Sequence, residues 1–133
     1  MKATFLAYLL TGPGLVALVG QNIAWSWRLQ GAPLPAVTLI RTDGREDMAL
    51  DGFTGFVDGY VQADCWGSTQ LMADQVAGQI KAITRVTSPV ILAATGGVIQ
   101  GVFVMHEADE FEGEKPDRIF RTRLSLRIPH LVS

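Results

Sequence analysis

Arg121, Arg123 and Arg127 recur at even spacing, interleaved with Phe120, Thr122, Leu124, Leu126 and Ile128. On a strand, successive side chains leave opposite faces, so the guanidiniums share one face and the apolar residues the other. Such a stripe suits two kinds of chemistry. It can face a phosphate backbone or an acidic partner, or it can pair across strands with carboxylates. The stretch Val57–Trp66 carries a matching pattern, with Asp58, Tyr60, Gln62, Asp64 and Trp66 opposite Val57, Gly59, Val61, Ala63 and Cys65. Cross-strand pairing of Asp58 and Asp64 with the arginines is the favoured reading. Trp66, on the polar side, is either sheet packing or an aromatic anchor for a partner.

A second acidic group comprises Glu107, Asp109, Glu110, Glu112 and Glu114 around Phe111, with Lys115 as the one cation nearby. Its spacing does not fit an EF-hand loop. An acid–base pair needs carboxylates held rigidly with at least one shifted pKa, and a charged loop supplies neither. His106 and His130 lack a local serine or cysteine nucleophile. Cys65 sits on the small-residue side of its strand and reads as a buried hydrophobe. One cysteine and two distant histidines give no metal-ligand spacing. Gly96-Gly97 and Gly12-Pro-Gly14 are not phosphate loops, since no lysine follows in the required place. No catalytic, metal or cofactor residue is therefore expected.

The elements that position these residues follow from periodicity. The chain has 133 residues, 48% hydrophobic and 18% charged, with a net charge of −2. That is enough for one domain with its own core, greasier than average and without a general nucleic-acid footprint. Met1–Leu10 has the charge and apolar run of a signal peptide, but the break at Gly12-Pro13 favours two short helical segments over residues 2–19, closed by Gly20. No run reaches the ~20 apolar residues of a membrane span, and no membrane partner is expected. Asn22–Leu29 reads as short and extended, with Trp25 and Trp27 on one side, and Gly31–Pro35 as a loop. Ala36–Arg41 is a strand, and polar, glycine-rich Thr42–Phe56 a long loop holding Asp43, Arg45, Glu46, Asp47, Phe53 and Phe56.

After Val57–Trp66 the period changes. Met72, Ala73, Val76, Ala77, Ile80 and Ile83 recur at helical spacing, predicting a helix capped by Ser68 or Thr69 and ending near Arg85. Val90–Ala94 carries no decisive pattern. Val98–Met105 and Ile119–Ile128 read as a hairpin joined by the polar loop Ala108–Asp117. This order predicts an α+β fold, a mainly antiparallel sheet with an N-terminal helix and one long central helix on one face.

On these residues the chain resembles the tail completion (tail terminator) family of long-tailed, siphovirus-like bacteriophages and gene transfer agents. The resemblance spans nearly its whole length: Leu15-Val-Ala-Leu-Val-Gly20, Leu34-Pro35, Leu50-Asp51-Gly52, Tyr60–Trp66, the helix from Ser68, and Arg121-Thr-Arg-Leu-Ser-Leu126. It implies a non-enzymatic virion protein made in the bacterial host cytoplasm. Such a protein forms a ring, typically a hexamer, at the head–tail junction. The ring caps the tail tube protein, offers a surface to the head connector, and lets DNA pass through its lumen. Interface candidates are then Arg41, Asp43, Arg45, Glu46, Asp47, Phe53, Phe56, Trp66, Asp109, Glu110, Phe111, Glu112, Glu114, Arg121, Arg123 and Arg127. On this reading, deleting 109–116 leaves a folded protein that cannot join heads to tails. The alternatives are a head-side connector stopper, or a small enzyme or ligand-binding domain built on Asp58, Asp64, Arg121 and Arg123.

Overall fold

A computed structural model describes residues 2–20, 22–25, 34–49, 52–85, 90–92, 97–113 and 118–131. Two short helices open the chain, α1 (Lys2–Leu10) and α2 (Pro13–Val19). Pro13 occupies the first turn of α2, where its missing N–H costs nothing, and Gly20 ends it with a φ of 60°. Next come β1 (Ile23–Ala24), β2 (Ala36–Ala49) and β3 (Gly52–Gly67). The helix α3 (Gln70–Thr84) starts where the strand period stops. Thr69, extended at φ −135°, accepts the Met72 N–H on its hydroxyl at 3.2 Å, satisfying one orphan donor of the first turn. The turn into α3 is tight: a Cβ on Gly67 would lie 2.8 Å from the Ala73 backbone nitrogen. The chain closes with β4 (Val90–Leu92), β5 (Gly97–Ile99), β6 (Phe103–Glu112) and β7 (Ile119–Leu131).

The strands form one sheet in the order β1-β2-β3-β7-β5-β4, with β6 also on β7. Only β1–β2 is parallel; every other described pairing is antiparallel. β5 and β6 share one edge of β7, β5 beside His130–Leu131 and β6 beside Ile119–Arg127. The expected strand Val98–Met105 is thus divided between them. The break lies opposite Pro129, which has no N–H to give; its carbonyl still accepts the Gln100 N–H at 2.8 Å.

Most of the described residues of both expected polar loops lie in strands. Thr42–Phe56 is most of a long β2–β3 hairpin, with Arg45 opposite Asp58 and Ala49 opposite Gly52. Register shifts between Arg41 and Asp43 and between Glu46 and Met48 break the alternation, which hides the pattern in sequence. Ala108–Glu112 likewise continues β6, with Glu110 opposite Arg121. A deletion of 109–116 would therefore cut a paired strand. Of the segment read as extended, only Ile23–Ala24 is a described strand. Trp27, Leu29, Leu50, Asp51, Glu114 and Lys115 lie outside the described residues.

The helices pack on the face that carries Val61, Ala63 and Cys65 of β3 and Leu124, Leu126 and Ile128 of β7. α3 packs on β3 and β7 with Ala73, Val76, Ala77 and Ile80 buried, against small residues on β3 and larger ones on β7. Phe5, Leu9, Leu15 and Val19 bring α1 and α2 into the same core. Near the sheet's end the His130 imidazole lies over Gly59, where a Cβ would sit 3.0 Å from Cε1. Its Nδ1–H donates to the Ile128 carbonyl at 2.8 Å.

Leu126→Ala is expected to lower stability by about 2–5 kcal/mol, through lost burial and a residual cavity, as read by urea denaturation. Burial holds the His130 pKa below its ordinary value, with Arg41 acting in the same direction and the Ile128 bond opposing. At pH above about 6.5 both folded and unfolded states carry it neutral. As pH falls below that value the unfolded state takes up the proton first, so stability should decline. His130→Gln should remove that part of the decline below about pH 6.5 in pH-dependent denaturation.

Candidate interaction surface

The opposite face of the sheet is polar, and Asp64 stands at its centre. Strand alternation places it beside Thr38 of β2 and Arg123 of β7, and only 4% of it is exposed. Arg123 Nε lies 3.3 Å from its Oδ1 and Arg121 Nη1 3.8 Å from its Oδ2. The Gln62 amide donates to Oδ2 at 3.1 Å. Glu110 reaches in from β6 to bond Arg121 and to approach Arg123 Nη1 at 3.2 Å. The Arg121 hydrogen bond holds the Glu110 carboxyl below the usual carboxylate range. Trp66 is buried here, its indole N–H donating to the Thr38 hydroxyl at 2.9 Å, with the Arg121 guanidinium 5.0 Å from its ring centre. Further along, Arg127 Nε bonds Asp58 Oδ1 at 2.8 Å, which raises the Arg127 pKa further.

Alternating charges thus tie β3, β7 and β6 together, forming the Asp58 and Asp64 pairs expected from the sequence. The acidic segment does not reach away from the arginines; Glu110 partners two of them within the chain. Trp66 is enclosed by Thr38 and Arg121, so it packs within the sheet and is not an exposed anchor. Cys65, on the other face, is fully buried, and burial together with Asp64 pushes its thiol pKa far up. A thiol in that state is a poor nucleophile.

On the helix side, β6 is fastened to α3. Lys81 donates to Glu107 at 2.9 Å. The buried Thr122 hydroxyl lies 3.0 Å from Asp74 and 3.1 Å from Asp109, and the Gln70 amide donates to both Asp74 and Thr122. Between Lys81 of α3, its C-cap Arg85, and Phe103 and Val104 of β6 runs a cleft of about 600 Å³. Phe103, Met105 and Phe111 are 51%, 60% and 59% exposed. Phe111 was among the expected interface residues; Phe103 and Met105 were not. Read in sequence, Phe103-Val104-Met105 resembles the core part of a strand, and only the absence of alternation there signals otherwise.

The remaining expected residues fall in two places. Arg41, Asp43 and Arg45 are exposed on the outer arm of β2, where Arg45 approaches Asp43 at 3.6 Å. Glu46, Asp47, Phe53, Phe56 and Glu112 lie in β2, β3 and β6, with side chains outside the described set. The structure brings Glu110, Arg121, Arg123 and Trp66 together and leaves the β2 arm apart from them.

Asp64→Ala leaves two guanidiniums around an emptied buried site and is expected to cost about 3 kcal/mol, with Glu110 limiting the loss. Glu110→Ala, at a more exposed and screened pair, should cost less. Chemical denaturation of both variants checks that order.

No protein-family model matches the sequence, and no curated protein matches it. Among solved structures the chain is similar to one in "Virion of native gene transfer agent (GTA) particle". The TM-score is 0.66 at 19% identity, covering 96% of this chain and 92% of that one. The two chains share their fold from end to end.

Proposed function

We propose that this protein is a structural component of a virion, forming a hexameric ring at the head-proximal end of a tail tube. There it ends tube polymerisation and joins the tail to the head connector, with DNA passing through the ring without sequence-specific binding. The observation that carries this reading is the fold shared, across nearly all of both chains, with a chain of a gene transfer agent virion. The tail-terminator resemblance of the sequence points the same way. Two features suit such a role. The charged groups of the polar face are used in holding strands together, and apolar side chains stand exposed along an edge strand, where a neighbour can cover them. A ring subunit needs a rigid scaffold and adhesive flanks, and needs no chemistry.

Light scattering of the purified protein, alone and mixed with its tail-tube protein, tests the proposal. The expected result is a hexamer mass, either free or formed on tubes, with tubes that stop lengthening once capped. A protein of single-subunit mass that ignores tubes at high concentration overturns it.

A further inference from the structure

We infer that copies of this chain join head to tail through two open sheet edges, the outer edge of β6 adding to residues 39–49 of β2 in the next copy. This rests on the ring reading above and assigns it a contact. Among the described residues β6 pairs only with β7, and β2 pairs beyond β3 only at Val37 and Thr38, with β1. Such an edge, unpaired among the described residues, presents backbone N–H and C=O groups as a template for another strand.

Topology makes the two edges compatible. The long strands lie in the order β2, β3, β7, β6, each antiparallel to the next. With an even number of alternating strands, the outermost two run in opposite directions. Copies related by rotation about an axis along the strands keep their orientation, so β6 meets the next β2 antiparallel. That contact is heterologous, as a closed ring requires. The two edges are also offset along the strands. Phe56 is opposite Leu131 and Gly67 opposite Phe120, so the Ala49–Gly52 pair of β2 and β3 and the Glu112–Ile119 pair of β6 and β7 lie toward opposite ends. A closed sheet with tilted strands needs such a stagger.

Composition selects the partner. Phe103–Glu112 contains no lysine, arginine or proline, residues that usually protect an edge; its register on β7 shifts at Met105, and it exposes Phe103 and Met105. It carries Glu107, Asp109, Glu110 and Glu112, so a two-fold β6–β6 contact would set carboxylates against carboxylates. The β2 arm presents exposed Arg41 and Arg45 around Asp43, and its sequence then turns acidic at Glu46 and Asp47. Cations, Lys81 and Arg85, flank the Phe103 end of β6. Within one copy Arg41 is level with Val104 and Glu107 with Leu39. Antiparallel pairing with a slide of several residues, the stagger above, brings Arg41 and Arg45 toward the acidic half of β6 and residues 46–47 toward its Phe103 end. A parallel alignment would reverse both matches.

Cysteine cross-linking tests this contact. Met105→Cys is combined in one chain with Thr42→Cys, Asp43→Cys or Arg45→Cys in turn. Native Cys65 is fully buried. Within one chain the two edges are three strand spacings apart, roughly 14 Å, beyond the ~7 Å a disulfide spans. Mild oxidation is applied in the state, free or on tubes, that shows the assembled mass. The expected result is a reductant-sensitive covalent series rising in steps of 14.4 kDa for at least one pairing, with none for the single Met105→Cys variant. An assembled mass without any covalent series overturns the contact and leaves the ring reading standing. Self-linking of the single variant also overturns it, in favour of a β6–β6 contact. Single-subunit mass under every condition overturns both.

Discussion

The register of β3 on β7 is the constraint on which the rest of the molecule depends. Val61 opposite Leu126 and Ala63 opposite Leu124 put apolar pairs under α3, and the same pairing puts Asp64 beside Arg123 and Asp58 within reach of Arg127. A slip of one residue would turn the guanidiniums into the helix layer and the leucines into the polar face. Burying unpaired charge is costly, so the ionic face and the apolar core specify the same register from opposite sides. The enclosed Asp64 contributes more to that specificity than the pairs nearer solvent.

Once the register is set, the placement of the other elements follows. Small residues on β3 and α3 allow close helix–sheet contact, while the large residues of β7 and the N-terminal helices fill the flanks. β6 is then held twice, by Glu110 on the polar face and by Glu107 and Asp109 on the helix face. A strand clamped on both faces keeps its place against β7 through the register shift between Val104 and His106. The acidic residues of β6 therefore serve the scaffold first. Those same fixed carboxylates give the edge its charge.

Much of the fold is legible in the residues. Alternation over Val57–Trp66 and Ile119–Ile128 shows two strands and their faces, and the change of period at Gly67–Thr69 marks the start of α3. The pairing of Asp58 and Asp64 with the arginine stripe is visible because both patterns have the period of a strand. The outer arm of β2 and the second half of β6 are not legible. Their faces are solvated or bulged, so neither carries the apolar alternation by which a strand is recognised, and Thr42–Phe56 and Ala108–Glu112 read as loops. Trp66 shows the same limit: its side of the strand is plain in sequence, but its enclosure comes from Thr38 and Arg121, 28 and 55 positions away.

By itself the sequence determined which residues face inward, where helix replaces strand, and the class of fold, because these depend on local periodicity and capping. Only the tertiary structure decided that the polar stretches are paired strands, that Glu110 closes on Arg121 and Arg123, and that among the described residues β6 pairs with β7 alone. Those outcomes depend on which strands become neighbours. Neighbour choice is settled by contacts between residues far apart in the chain, which no local pattern records.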